Sequence, residues 1–137
     1  ASEAAAPSQL GALDTEGAHV LYVDDDEVML LMVERLLQRA GWRCTCFASA
    51  QDALRLVQEA PQAVDLVVSD YNMPAMSGLE LAEALARIHP DLPVVISSGY
   101  LSDELRAGAE RLGVRHLMQK ENTVEELVRL VRRVLSD

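Results

Sequence analysis

The sequence predicts an α/β fold built on a parallel sheet of about five strands with helices on both faces. Three observations predict it. From residue 19 onward, short β-like runs alternate five times with amphipathic helix patterns. The third and fourth runs, "VDLVVS" (64–69) and "PVVISS" (93–98), are almost continuously apolar, as strands covered on both faces are. No long gap separates the five units, so right-handed crossovers assemble them most economically into one doubly wound sheet.

Each element has its own signals. The strand candidates are "HVLYV" (19–23), "RCTCF" (43–47), the two apolar runs above, and "RHLMQ" (115–119). Val28, Leu31, Met32 and Leu36 are expected to form the core-facing stripe of the first helix, which Gly41 can end in a left-handed conformation. Ser49 suits the cap of the second helix, with Asp52 in its first turn and Pro61 just past its end. Leu79, Ala82, Leu85 and Ile88 mark a third helix stopped by Pro90, and Ser102 to Gly113 bracket a fourth. Thr123-Val124-Glu125-Glu126 reads as a capping box opening the fifth, whose apolar face is Leu127, Leu130, Val131 and Val134.

At 137 residues, half of them apolar, the chain suits one domain with its own core. Twelve Lys and Arg against 22 Asp and Glu leave a net charge of -10, which repels nucleic-acid phosphates and anionic lipid, so neither direct nucleic-acid binding nor membrane contact is expected. The longest apolar run is roughly six residues, far short of the ~20 a membrane-spanning helix needs, and the opening residues lack a signal-peptide pattern. A reducing cytoplasm is the expected location. Cys44 and Cys46 would share one face of an extended segment with Cα atoms roughly 6.6 to 6.8 Å apart, near the limit for a bridge, and core packing is the expected role. Residues 1–18 read as a tail or linker ahead of a domain at 19–137, and the initial Ala fits excision from a longer protein.

In doubly wound sheets ligands bind beyond the carboxyl ends of the strands. The first strand ends in Asp24, Asp25 and Asp26 and the third in Asp70. If these strands are neighbours the carboxylates converge, and like charges so close raise one another's pKa unless a cation neutralises them. Hard oxygen donors in an open crevice suit Mg²⁺ (or Mn²⁺). Helix capping explains one of Asp24 to Asp26 but not Asp70. The fourth strand brings the Ser98 hydroxyl and the fifth the Lys120 ammonium to the same edge, a set that could hold a phosphoryl group.

Residues 19 to 135 resemble the receiver domain of two-component response regulators. "VDDDE" matches its acidic-pair motif, "DLVVSDYNMPAMSGLEL" its phosphoacceptor motif, and "PVVISSGY" the segment with the switch hydroxyl. The resemblance implies a flavodoxin-like five-stranded parallel sheet of order 2-1-3-4-5 with five helices, an order for which a receiver is itself a standard example. It implies that Asp70 accepts a phosphoryl group from a phosphohistidine on a histidine kinase or a histidine phosphotransfer protein. Asp25 would contact Mg²⁺ directly, Asp24 would act largely through water, and the backbone carbonyl of Asn72 would complete the protein ligands. Ser98 and Lys120 would hold the phosphoryl group, and Pro74 and Gly78 would shape the loop after the acceptor. Phosphorylation and dephosphorylation would be largely self-catalysed, and a homodimer is compatible with this reading.

Two departures from the family pattern carry expectations of their own. Lys120 precedes Glu121 where the family usually has proline, so a trans bond with a rearranged loop is expected, because a cis bond there costs about 2.5 to 4 kcal/mol. Leu117 stands where the family often has Tyr or Phe, and Tyr100 is either a substitute that gates attacking water at the site entrance or a partly buried loop aromatic. Two rival functions fit parts of the pattern. "DDDEV" (24–28) also fits a Mg²⁺-dependent phosphohydrolase of the haloacid dehalogenase type with Asp24 as nucleophile, but this leaves Asp70 unexplained. An interaction-only pseudo-receiver is opposed by the completeness of the site. No glycine-rich nucleotide motif or histidine phosphorylation box occurs, so the domain itself is not a kinase. A stand-alone receiver, the amino-terminal half of a regulator and the receiver of a hybrid sensor histidine kinase are all open, and the Ala-rich leader, "SGY" and "TVEELVRLVRRVL" look most like the last.

Overall fold

The structure, a computed structural model, describes residues 17–136; the rest of the expected tail, residues 1–16, lies outside the described residues. Five strands alternate with five α-helices: β1 (His19–Val23), α1 (Glu27–Arg39), β2 (Arg43–Phe47), α2 (Ala50–Glu59), β3 (Leu66–Asp70), α3 (Gly78–Ile88), β4 (Val94–Ser98), α4 (Asp103–Arg111), β5 (His116–Gln119) and α5 (Thr123–Ser136). The strands form one sheet in the order β2-β1-β3-β4-β5, every neighbouring pair parallel. This is the expected flavodoxin-like order. Among the described residues no helix is long and apolar enough to cross a membrane.

The sheet has a hydrophobic layer on each face, as the period-two alternation of strand side chains requires. Val20, Tyr22, Leu66, Val68, Val95 and Met118 pack against Val33 and Leu37 of α1 and Leu127, Val131 and Val134 of α5. On the other face Leu21, Val23 and Val67 meet Ala53 and Val57 of α2 and Leu81 and Leu85 of α3. Each fully buried aliphatic side chain contributes about 1.5–3 kcal/mol relative to exposure. Cys44 and Cys46 are half-buried against the first layer as free thiols with their sulfurs 3.7 Å apart, in keeping with a packing role.

Most caps follow the local chemistry of the sequence. Asp26 caps α1 by accepting from the amides of Val28 and Met29, and Gly41 follows that helix at φ 97°. Ser49 and Ser102 cap α2 and α4. Ser77 and Glu80 form a full capping box on α3.

Three expectations are corrected. Val28 and Leu31 do not face the core; they are 75% and 51% exposed, while Val33 and Leu37 are buried. Val28 and Leu31 stand on the same side of α1 as Glu27, Glu34, Arg35, Gln38 and Arg39, whereas Met29, Leu30, Val33 and Leu37 form the opposite, docked face; the i, i+4 series Met29, Val33, Leu37 carried that signal. Thr123 does not open a capping box. A tight turn over Lys120–Asn122 runs directly into α5, Thr123 is already helical, and its hydroxyl donates to the Lys120 carbonyl at 2.6 Å. The third strand begins at Leu66, two residues later than expected, and ends on Asp70 itself.

Candidate functional site

The sheet order makes β1 and β3 neighbours, so the residues just past Val23 and the last residue of β3 meet at one edge. Alternation then selects side chains. Tyr22 and Asp24, Val68 and Asp70, and Met118 and Lys120 stand two apart on their strands and project to the face covered by α1 and α5. Asp24, Asp25 and Asp70 thereby bring one carboxylate oxygen each within 4.8 Å of one another.

The three acids differ sharply in environment. Asp25 is exposed, whereas Asp24 is 0% exposed and Asp70 nearly so. Asp24 is held by three groups: its Oδ2 accepts from the Tyr22 hydroxyl at 2.7 Å, its Oδ1 from the Asp26 amide at 2.9 Å, and the Lys120 ammonium straddles both oxygens at 3.0 and 3.3 Å. Lys120 also reaches Asp70 Oδ2 at 3.2 Å. One ammonium thus bridges two buried carboxylates.

The electrostatics follow from that count. Burial and then the Asp24 charge push the Asp70 carboxyl above its ordinary range, and the charge of Lys120 only partly offsets them. Burial works against the charge of Lys120, but its hydrogen bond to Asp24 and the charges of Asp24 and Asp70 outweigh it, so its pKa is raised. The pocket carries more negative charge than one lysine balances. An open, exposed carboxylate beside two buried ones, all hard oxygen donors, fits a small divalent cation.

The remaining expected residues lie around this cluster. Ser98, at the end of β4, is buried; its hydroxyl donates to the Tyr100 carbonyl at 3.0 Å and accepts from the Tyr100 amide at 3.3 Å, so it is engaged within its own loop. Tyr100 itself is 76% exposed, and Leu117 is half-buried on β5. Asn72 is exposed on the loop after Asp70. No cis peptide bond occurs among the described residues, so Lys120-Glu121 is trans and leads into the turn before α5.

The loop after Asp70 is tightly built. A Cβ on Gly78 would stand 2.6 Å from the Asp70 backbone oxygen, so only glycine lets α3 start so close to the end of β3. Ala75 adopts φ 70°, and around it the Met76 amide donates to the Pro74 carbonyl at 2.7 Å. A positive φ on a residue with a Cβ is a local cost, placed beside the reactive edge.

Two residues at this edge were missed in the sequence. Tyr22 holds Asp24, and its signal was the two-residue spacing that puts both on one pleat. Ser97, in register with Asp70, is buried and its hydroxyl has no hydrogen-bond partner in the structure.

Comparison with known proteins agrees with this geometry. Residues 20–132 match the family model described as the response regulator receiver domain. The chain is 37% identical over 111 residues to the two-component response regulator ARR10 of Arabidopsis thaliana, and 33% over 117 residues to the DNA-binding transcriptional regulator NtrC of Escherichia coli. These alignments cover 81% and 85% of this chain but 20% and 24% of the relatives, so it spans about a fifth to a quarter of their length. Among solved structures, the chemotaxis protein CheY4 of Vibrio cholerae superposes with a TM-score of 0.80 at 30% identity, covering 86% of this chain and 98% of that one. The receiver domain of the histidine kinase CKI1 of Arabidopsis thaliana, solved with Mg²⁺ and BeF₃⁻, superposes at 0.79 over 90% of this chain and 95% of that one; at 22% identity it speaks to the fold alone. The chain belongs to the response regulator receiver domain family of two-component signal transduction.

Proposed function

We propose that this receiver takes a phosphoryl group from a phosphohistidine onto Asp70, with Mg²⁺, and that the change alters its contacts with a partner or a neighbouring domain. The observation that carries the reading is Lys120, whose ammonium bridges Asp24 and Asp70 while Asp25 stands open beside them. Asp25, Asp70 and the Asn72 backbone carbonyl would hold the cation, with Asp24 acting through water. Bound there, it would supply positive charge to the transferring phosphoryl oxygens.

The chain's own residues do the rest. An Asp70 carboxylate oxygen forms a bond to phosphorus as the P–N bond of the phosphohistidine breaks. The electron pair leaves with the imidazole nitrogen, and the product on Asp70 is an acyl phosphate. Lys120, already within hydrogen-bond reach of Asp70, pairs with the phosphoryl oxygens. Ser98 would supply its hydroxyl by leaving its bond to the Tyr100 carbonyl, and the exposed Tyr100 would limit access of water. Positioning and charge are what this chemistry needs from a protein. Exposed Val28 and Leu31 near the start of α1 and Val124 at the start of α5, with the two helices packed together, offer the donor protein an apolar apron. The donor would be a histidine kinase or a histidine phosphotransfer protein, and the parent chain a longer signalling protein, with a hybrid sensor kinase preferred.

The test is to incubate the protein with Mg²⁺ and a small acyl phosphate, or a phosphohistidine-bearing transfer protein, and map the label. The expected result is label on Asp70, absent with a chelator and absent in Asp70→Asn. Label on Asp24 would instead favour the phosphohydrolase, and no label with either donor an interaction-only domain.

A further inference from the structure

Tyr22 has no part in the chemistry above, yet it is tied to the centre of the pocket. It is wholly buried in β1, in register between Cys46 of β2 and Val68 of β3. The other β1 core positions, Val20, Leu21 and Val23, are aliphatic. A phenol there must bury a hydroxyl, which is costly unless it is bonded, whereas phenylalanine would fill the same space without that demand. The hydroxyl donates to Asp24 Oδ2 at 2.7 Å, a short charge-assisted bond.

We propose that Tyr22 is a positioning residue that fixes Asp24 as the counter-ion of Lys120 and keeps it from direct metal contact, leaving Asp25 to meet the cation. This inference rests on the phosphoacceptor reading for its purpose but not for its measurement. A carboxylate offers about four acceptor positions. The Tyr22 hydroxyl donates to one oxygen of Asp24 and the Asp26 amide to the other, and Lys120 straddles both. To turn an oxygen to a cation, Asp24 must give up one of these donors. Asp25, one residue on and exposed, has no such restraint in the structure. Two adjacent aspartates thus take separate tasks, one ordering the lysine and one serving the metal.

The test uses the full chain and Tyr22→Phe. Titration calorimetry with MgCl₂, without any phosphodonor, should show the dissociation constant falling on the order of three- to tenfold, because Asp24 regains an unpaired oxygen and a stronger field. At saturating Mg²⁺, labelling of Asp70 should slow several-fold as Lys120 loses its fixed partner. In an Asp24→Asn background, Tyr22→Phe should leave Mg²⁺ affinity unchanged. A folded Tyr22→Phe with wild-type or weaker Mg²⁺ affinity overturns the proposal, since that is the behaviour of a packing residue. If Tyr22→Phe does not fold, the wild-type hydroxyl proton is followed by NMR: it should exchange slowly with and without saturating Mg²⁺, and its release on adding Mg²⁺ would mean that Asp24 leaves the tyrosine for the cation. Absence of label on wild-type Asp70 sinks the phosphoacceptor reading alone, because the Mg²⁺ measurements need no phosphoryl transfer.

Discussion

The two ends of the same five strands are built on opposite principles. At the amino end, the polar groups of His19 find neutral or opposite partners, although the buried Trp42 Nε1 just before β2 has no hydrogen-bond partner: the His19 amide donates to Asp65 at 2.8 Å, and its ring bonds the Ala63 carbonyl at 2.8 Å and the Thr45 hydroxyl at 2.7 Å. At the carboxyl end, carboxylate faces carboxylate, a loop residue takes a positive φ, and a buried serine hydroxyl lacks a partner. A cavity of about 530 Å³ opens at the amino end, bounded by Asp65, Pro90, Asp91, Pro93, Arg115 and His116 and by none of the acid-cluster residues. This cavity and the acid cluster therefore lie at opposite ends of the sheet. Where polar groups are satisfied the sheet is stabilised, and where they are crowded it is poised for a charge to arrive.

Substitutions at the two ends should break or sharpen this contrast. The largest effect is expected for Lys120→Ala, which removes the ammonium bridging the buried acids. Labelling of Asp70 by a small acyl phosphate should fall on the order of a hundredfold, and a change of less than threefold would show that Lys120 is not part of the transfer machinery.

Asp70→Asn should do the opposite to stability. Because the folded-state pKa of Asp70 is raised, the folded protein binds this proton more readily than the unfolded chain, so the contribution of Asp70 to stability falls as pH rises above 3.8. With a chelator present, neutral Asn should stabilise the fold at pH 7 by about 1–2 kcal/mol, measured by urea unfolding, and the gain should shrink as pH falls towards 4. A destabilised Asp70→Asn at pH 7 would mean that the lysine bridge outweighs the repulsion.

His19→Ala tests the amino end. Losing its ring contacts should cost about 1 kcal/mol of stability while leaving the labelling rate unchanged. A slowed rate would show that the two ends are not independent. The smallest effect is expected for Ala75→Gly, which relieves the positive φ and should stabilise by less than about 1 kcal/mol in the same unfolding assay, because glycine also loses more chain entropy.

The parts of this architecture that depend on short-range rules were readable from the chain. The serine caps at Ser49 and Ser102 and the turn glycines Gly41 and Gly113 act within a few residues of themselves, and each is where its chemistry suggested, while the apolar runs at 64–69 and 93–98 form strands at Leu66–Asp70 and Val94–Ser98. Asp24, Asp25, Asp70 and Lys120 could be assembled because all stand at carboxyl ends of strands, and parallel connection sends those ends to one edge. Val28 and Leu31 misled because they are apolar residues set among the charged side of α1, while the docked face follows the series Met29, Val33, Leu37. Thr123 misled because the turn at Lys120–Asn122 starts the helical path early and changes its hydroxyl from acceptor to donor.

By itself, then, the sequence determined the fold class, the strand order through its family resemblance, and which residue types gather at one edge, because periodicity and connection rules are local. Only the tertiary structure decided how the adjacent aspartates divide: Asp24 sealed beneath Tyr22 and Lys120, Asp25 left to solvent. Their sequence contexts are nearly the same. Their free energies differ because the depth of burial and the donors within reach are set by strands and helices that lie far away along the chain.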